Sequence, residues 1–376
     1  MNDKKLNIIF VTNNYTPYQG GVVSSIQTTS QALRQRGHNV TIITLNFTQT
    51  SCNEPHVFRI FCPVRFMYKK NHMALPWCPQ VSLHKFFTAL KPDIVHIHHP
   101  FLLGPAALAV AKKMNIPTIF TYHTLYEHYL HYIPLPQQLT KPVVTKLVQS
   151  FCQEVDAVIA PGIFIKNHIE QHTTNKRVEV IPSSIASHFF QHQSSTSLTS
   201  PYKLLCVSRF TQEKNISFLL DVLALLDSPH FTLTLAGYGC QYEELQQYAY
   251  NIKKLSTTQV RFIEKPSKAQ LLALYQEAHI FLFASTTDTQ GIVLAEAMSQ
   301  GIPVIALDGP GQRDIINPEV NGFLVNNQAD MKEKIIELVN NQPLFTTMQQ
   351  EALKTAQTYH SSHLIQKLLN FYYKFI

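Results

Sequence analysis

Two carboxylates, two cations and a set of loop glycines carry the chemistry that this sequence offers. Asp288 and Glu296 stand eight positions apart in the stretch Ala284–Gly301, ASTTDTQGIVLAEAMSQG. Between them lie Gln290, Gly291 and Ile292. A glycine at a helix start lets backbone approach a ligand, and the unpaired N–H groups of a first helical turn suit a phosphate. A carboxylate pair beside such a turn grips hydroxyl groups while the amides hold the anion. That combination suits a nucleotide-sugar. Arg209 and Lys214 sit five apart in SRFTQEKN. Arginine grips phosphate oxygens through two N–H groups, and lysine adds a point charge. Solvated surface cations are the plain alternative, and proximity to the Asp288–Glu296 stretch argues against it.

The elements around these residues read as alternating strand and helix. Leu6–Val11 is a buried strand, and a loop ending in Gly20-Gly21 leads into a helix over Val22–Arg36. Further strands are expected at 57–61, 93–98, 116–121, 156–160 and 178–182, which is the pattern of a mostly parallel sheet covered on both faces. His123, in Tyr122-His123-Thr124, closes one of these strands at its carboxyl end, where ligands bind in open α/β sheets. The segment 181–200 is rich in Ser, Thr and Gln and reads as a linker. The alternation then restarts, with strands at Tyr202–Ser208 and Phe231–Ala236, helices at Asn215–Asp227 and from Tyr238 to Leu255, and a strand at Gln259–Ile263. Arg209 and Lys214 fall just after the first of these strands. Gly237, in Ala236-Gly237-Tyr238-Gly239, falls after the second, and a tight turn explains it as readily as a ligand does. The expected fold is α/β, with two Rossmann-like domains, 1–184 and 185–376, facing across a cleft. The apolar, aromatic tail of the last helix is expected to pack back on the first domain.

Bulk properties narrow the partners. The chain has 376 residues, a net charge of +7 and 15% charged residues. Its length implies two cores, and its charge an anionic partner. There is no run of 18 apolar residues, so no membrane span is expected. The opening MNDKKLNIIFVTNN reads as a first strand and not as a signal peptide. Six cysteines without CxxC spacing read as reduced structural thiols. Eighteen histidines without ligand spacing give no reason to expect a metal. Residues 55–92 hold no acidic residue but carry Arg59, Arg65, Lys69, Lys70, Lys85 and Lys91 among Phe66, Met67, Tyr68, Trp77, Phe86 and Phe87. That mixture suits an anionic bilayer surface, the expectation adopted here, with nucleic acid as the rival partner. Tyr126, Glu127, His128, Tyr129, His131 and Tyr132 read equally as an amphiphilic acceptor pocket or as a packing stripe.

Taken in order, Gly20-Gly21, His123, Arg209 with Lys214, the AGYG turn and the Asp288-x7-Glu296 stretch resemble the retaining glycosyltransferases of family 4, with their GT-B architecture. The resemblance runs through the whole chain. It implies that Arg209 and Lys214 hold the donor diphosphate, assisted by amides around Gln290, Gly291 and Ile292. It gives Glu296 the ribose hydroxyls, Asp288 the sugar hydroxyls, His123 a contact with the sugar, and Gly20-Gly21 a place against phosphate and acceptor. No cofactor or metal is implied; the donor is a UDP-sugar. The segment 121–133, TYHTLYEHYLHYI, is similar to the bacterial enzymes that glucosylate diacylglycerol. This implies transfer of glucose to a lipid at the cytoplasmic face of a membrane, by a peripherally bound enzyme. A soluble sugar or small-metabolite acceptor, a nucleotide-sugar epimerase, and a basic module that only binds membrane or nucleic acid are the alternatives. Three positions depart from the family: Asp288 stands where Glu is usual, Glu264-Lys265 where Gly is common, and Pro182-Ser183-Ser184 where PNG is frequent.

Overall fold

The computed structural model describes residues 4–18, 20–47, 54–68, 71–128, 136–174, 177–191 and 198–376. The chain divides into two units, one comprising 1–184 with 361–376 and the other 185–360.

The first unit runs β1 (Asn7–Val11), α1 (Gly21–Gln35), β2 (Asn39–Leu45), β3 (Val57–Ile60), β4 (Val64–Tyr68), β5 (Asn71–Leu75), α2 (Pro79–Leu90), β6 (Ile94–Ile97), α3 (Leu103–Lys113), β7 (Thr118–Thr121), α4 (Gln137–Glu154), β8 (Ala157–Ala160), α5 (Ile163–His172) and β9 (Val178–Val180). Seven parallel strands lie in the order β3-β2-β1-β6-β7-β8-β9. β6, β7 and β8 are buried at every position, as expected of strands covered on both faces. One face of the sheet packs Leu83, Phe87, Leu103, Ala107, Val148 and Ile165 from α2 to α5. The other packs Val23, Ile26 and Leu33 of α1 together with Ile365, Leu368, Leu369 and Tyr372 of the chain's last helix.

The second unit runs β10 (Tyr202–Arg209), α6 (Ile216–Leu226), β11 (Phe231–Tyr238), α7 (Tyr242–Gln247), β12 (Val260–Glu264), α8 (Lys268–Glu277), β13 (Ile280–Phe283), α9 (Ile292–Ser299), β14 (Val304–Leu307), α10 (Pro310–Arg313), β15 (Gly322–Val325), α11 (Gln328–Asn340) and α12 (Gln342–Thr358). Its parallel sheet has the order β12-β11-β10-β13-β14-β15. In both units the strand order reverses beside the first strand, the doubly wound arrangement in which ligands bind at the carboxyl ends near the reversal. The last helix, α13 (Ser361–Tyr372), follows but belongs to the first unit, because its apolar face completes the core over α1.

Several local expectations change. The helix expected from Tyr238 to Leu255 starts only at Tyr242 and passes into a π-helical turn at Tyr248–Ile252. The expected linker is ordered at its start: Ser187–Phe190 form a 3-10 turn that buries Phe189, and Gln300 Nε2 donates to the Phe189 carbonyl. Residues 192–197 lie outside the described residues. So do Tyr129–Tyr132, while Tyr126–His128 form a short 3-10 turn. Within the basic, aromatic stretch, β4 and β5 pair as an antiparallel hairpin that the sequence did not announce. The Lys69-Lys70 pair between its strands carries none of the Gly or Asn cues of a tight hairpin.

Candidate functional site

In the second unit the candidate residues converge on the carboxyl ends of β10 and β13, the two strands at the reversal. β10 delivers Arg209 as its final residue. Glu213, which the sequence reading passed over, accepts from Arg209 Nη2 at 3.0 Å and from Thr211 Oγ1 at 2.8 Å. Lys214 follows and donates from Nζ to Asp288 Oδ1. Residues 74 apart in sequence, read separately as phosphate and sugar ligands, are thus an ion pair, and both side chains are mostly buried.

A chain of hydrogen bonds fixes the two loops to each other. Ser285 Oγ donates to the Glu213 carbonyl at 3.0 Å, and Gln312 Nε2 donates to the Ser285 carbonyl. Gly311 N donates to the Asp288 carbonyl at 2.9 Å. A Cβ on Gly311 would lie 2.6 Å from Gln290 N and 2.7 Å from Asp288 O, so only glycine lets this loop reach the Asp288 backbone. Asp308 accepts from Arg313 Nε at 2.7 Å and from Arg313 Nη2 at 2.6 Å, and so ties the end of α10 to the residues before it. None of Gly311, Gln312 and Ser285 carried a signal of its own in the sequence. Their roles exist only once β13 and β14 lie side by side.

Gly291 is the N-cap of α9, and no side chain caps that helix. The donors at such a helix start suit an anion. Glu296 lies farther along α9 and accepts from the Tyr275 hydroxyl of α8 at 3.0 Å. Burial pushes the Glu296 carboxyl up to about 7, and the Tyr275 hydrogen bond acts in the opposite direction. Gly237 has a packing reason of its own: with φ at +154°, a Cβ there would lie 1.7 Å from the Ser208 carbonyl of the neighbouring strand. Glu264 and Lys265, the departure after β12, form an exposed ion pair at 3.3 Å.

In the first unit His123 follows β7 and meets His98, which follows β6: His98 Nδ1 and His123 Nε2 are 2.9 Å apart, and the rings stack at 5.2 Å. His98 stacks in turn on His96 at 4.4 Å. His96 bonds Tyr372 of α13 at 2.5 Å and Thr121 at 2.6 Å. His99 Nδ1 accepts from Asn13 N at 3.2 Å. Burial holds all four imidazoles below the ordinary histidine range, His96 at about 3 and His99 at about 4. The sequence reading singled out only His123. The run His96–His99 in an otherwise apolar strand was the signal it left unused. Gly20 is the N-cap of α1 and Gly21 its first residue, with nothing within 4 Å of a Cβ built on Gly21.

Among the described residues no group of three or more His, Cys, Asp or Glu is placed to hold a metal ion, and no helix is long and apolar enough to cross a membrane. Cys206 and Cys152 are buried, and their thiols are pushed up to about 12. They are inert packing groups.

Residues 19–187 match the family description "Glycosyltransferase Family 4", and residues 188–355 match "Glycosyl transferases group 1". The alpha-monoglucosyldiacylglycerol synthase of Streptococcus pneumoniae is 30% identical over 354 residues, spanning 88% of this chain and 78% of that one. The protein of the same name from Acholeplasma laidlawii is 25% identical, spanning 92% and 91%. Among solved structures, the sucrose-phosphate synthase of Thermosynechococcus elongatus superposes with a TM-score of 0.82 at 18% identity over 98% of both chains. Anabaena HepE, in complex with UDP-glucose, gives 0.77 at 16% identity over 96% and 98%. The two Rossmann-like halves are those of the GT-B fold.

Proposed function

The chain belongs to glycosyltransferase family 4, and from that premise we propose that it transfers glucose from UDP-glucose to diacylglycerol with retention of the anomeric configuration. The observation that carries the reading is the convergence of Arg209, Lys214 and Asp288 with the start of α9 at the strand-order reversal of the second unit. The named relatives supply the acceptor class.

In this reading the donor diphosphate takes the place of Asp288 as the partner of Lys214. The Asp288 carboxylate then turns to the sugar hydroxyls, Glu296 takes the ribose hydroxyls, and His123 contacts the sugar. The C1–O bond to the diphosphate breaks as charge builds on its oxygens. Arg209, Lys214 and the amides around Gln290, Gly291 and Ile292 stabilise that charge. The acceptor oxygen bonds to C1 from the same face, and its proton passes to the departing phosphate. Gly20, Gly21 and Gly237 give the phosphates and the acceptor room beside the backbone. Two fixed cations do the work of a metal, so EDTA leaves turnover unchanged. Enzymes in this reading sit on the membrane surface, and residues 55–92 are the contact.

The test is an assay of the purified chain with UDP-glucose and dioleoylglycerol in mixed micelles containing anionic lipid. A glucolipid product is expected, and Lys214→Ala should lower kcat/KM by about 100- to 1,000-fold, the range for losing one preorganised donor. Absence of any glycolipid across several nucleotide-sugars sinks the lipid reading. Undiminished turnover in Lys214→Ala sinks the phosphate assignment. Flotation with anionic vesicles separates a lipid from a soluble acceptor.

A further inference from the structure

We propose that Tyr275 is the positioning residue of the nucleoside pocket: its hydroxyl orients the Glu296 carboxylate toward the ribose hydroxyls and favours its ionised form. The proposal rests on the reading of Glu296 given above and adds a residue to it. Three observations carry it. Tyr275 is fully buried, and its hydroxyl donates to Glu296 Oε2 at 3.0 Å. Its ring is clamped, stacked on Phe281 at 5.8 Å with the planes 29° apart and edge-on to Phe189 at 5.7 Å, which fixes where the hydroxyl oxygen lies. The helix that carries it is fixed at its start by a capping box between Ser267 and Gln270. A phenylalanine would fill the same space in this apolar setting. A buried hydroxyl there is sustained by a polar partner, and its partner among the described residues is the candidate ribose ligand.

The electrostatics agree with the geometry. Burial favours the neutral Glu296 carboxyl and the Tyr275 hydrogen bond favours the carboxylate; these are the two influences on it. Tyr275 itself feels burial, Glu296 and the Cys206 thiol of β10, and Lys214 acts on Cys206 in turn. α12, β13, β14 and the 3-10 turn at Ser187–Phe190 also pack on α9, and they add no charged group to those influences among the described residues. Tyr275 thus offsets part of the burial, which is the larger influence and leaves the carboxyl at about 7. In this reading the second oxygen of Glu296 takes the ribose hydroxyls.

The experiment compares the binding of UDP and of 2′,3′-dideoxy-UDP to the full chain by calorimetry across pH. The ratio of the two affinities cancels the titration of the phosphates. In the parent chain the preference for UDP should rise with pH through a midpoint near 7, where Glu296 titrates. Glu296→Gln should flatten it. Tyr275→Phe should move the midpoint up by about one unit, the size of a lost hydrogen bond to a charged group, and leave dideoxy-UDP binding unchanged. A titrating ratio that Glu296→Gln abolishes and Tyr275→Phe leaves in place overturns the proposal alone. So does an equal loss for both ligands in Tyr275→Phe. A flat ratio in the parent chain overturns the ribose reading and the proposal with it. One readout needs no variant at position 275. In the chain labelled at tyrosine Cζ, one resonance should follow the Glu296 midpoint and lose that movement in Glu296→Gln. If no resonance does so, the proposal fails.

Discussion

At the scale of the residue, the candidate site stores free energy in a poorly solvated carboxyl. Glu296 titrates near 7 when folded and in the ordinary carboxylate range when unfolded. Between those values the folded chain keeps a proton that the unfolded chain has released. Stability from this residue therefore falls as pH rises across that window and is level above it. Glu296→Gln removes the ionisation and retains an acceptor for Tyr275. It should raise the urea midpoint at pH 8 by an equivalent of about 1–3 kcal/mol, with the gain vanishing near pH 4, while UDP binding weakens. A variant that gains no stability at alkaline pH would show that the carboxyl is well solvated. Gln312 tests the loop network in a different way. Gln312→Met keeps the bulk and loses the donor to Ser285, and it should lower kcat/KM for the donor by roughly tenfold, as a cost of about 1.4 kcal/mol in positioning. Arg209, Lys214 and Asp288 were legible in the sequence because each stands at or just past the end of a strand, and Glu296 because it lies eight positions on from Asp288 in the helix that follows. Tyr275, Gln312 and His98 were not, because each acts through a partner remote in sequence that only folding supplies.

At the scale of the element, α13 and the histidines in and after β6 and β7 belong to one packing unit. Tyr372 reaches His96, and Ile365, Leu368 and Leu369 cover the sheet beside α1. Removing 361–376 should expose that face and cost the first unit its cooperative melt, read by calorimetry as loss of one transition. The buried imidazoles set the acid limit. Their folded values lie below the unfolded histidine value, His96 at about 3 and His99 at about 4. As pH falls below about 6.5 the unfolded chain takes up protons that the folded chain refuses, so stability is lost progressively from there. At pH 5 each such imidazole costs about 2 kcal/mol relative to pH 7. The sign is opposite to that of Glu296, and the several histidines outweigh the single carboxyl. A melting temperature that rises between pH 5 and 7 is expected; a flat or falling one would contradict the buried cluster. Secondary structure at this scale was largely legible, since β6, β7, β8, β13 and β14 are short apolar runs bounded by polar loops. The hairpin β4–β5 was not, because its strands mix charge with bulk and the sequence between them, Lys69-Lys70, carries no Gly or Asn cue.

At the scale of the whole molecule, net charge and exposed apolar side chains meet on one stretch. Phe61, Phe66, Met67 and Trp77 are exposed, Trp77 at 72%, on a segment free of acidic residues. Exposed apolar side chains clustered in this way mark an interaction surface. Trp77 is the chain's single tryptophan, so its fluorescence reports on this stretch alone. Vesicles containing phosphatidylglycerol should shift its emission to the blue, neutral vesicles much less, and salt should reverse the effect. Met67→Ser should weaken the partitioning, by up to about tenfold for one buried apolar side chain. Emission unchanged by anionic vesicles would remove residues 55–92 as the membrane contact.

What the sequence determined by itself was the local half of this protein. Apolar runs specify parallel strands, glycines specify where loops turn, and the order of Gly20-Gly21, His123, Arg209, Lys214, Asp288 and Glu296 specifies the family. Each of those features is encoded within a few neighbouring residues, and the motifs add up to the family by their order along the chain. The tertiary structure alone decided which distant groups meet: Lys214 with Asp288, Gln312 with Ser285, Tyr275 with Glu296, and His96 with a tyrosine at the far end of the chain. Hydrogen bonds and burial depend on distance in space, and parallel sheets bring together strand ends that the chain keeps far apart.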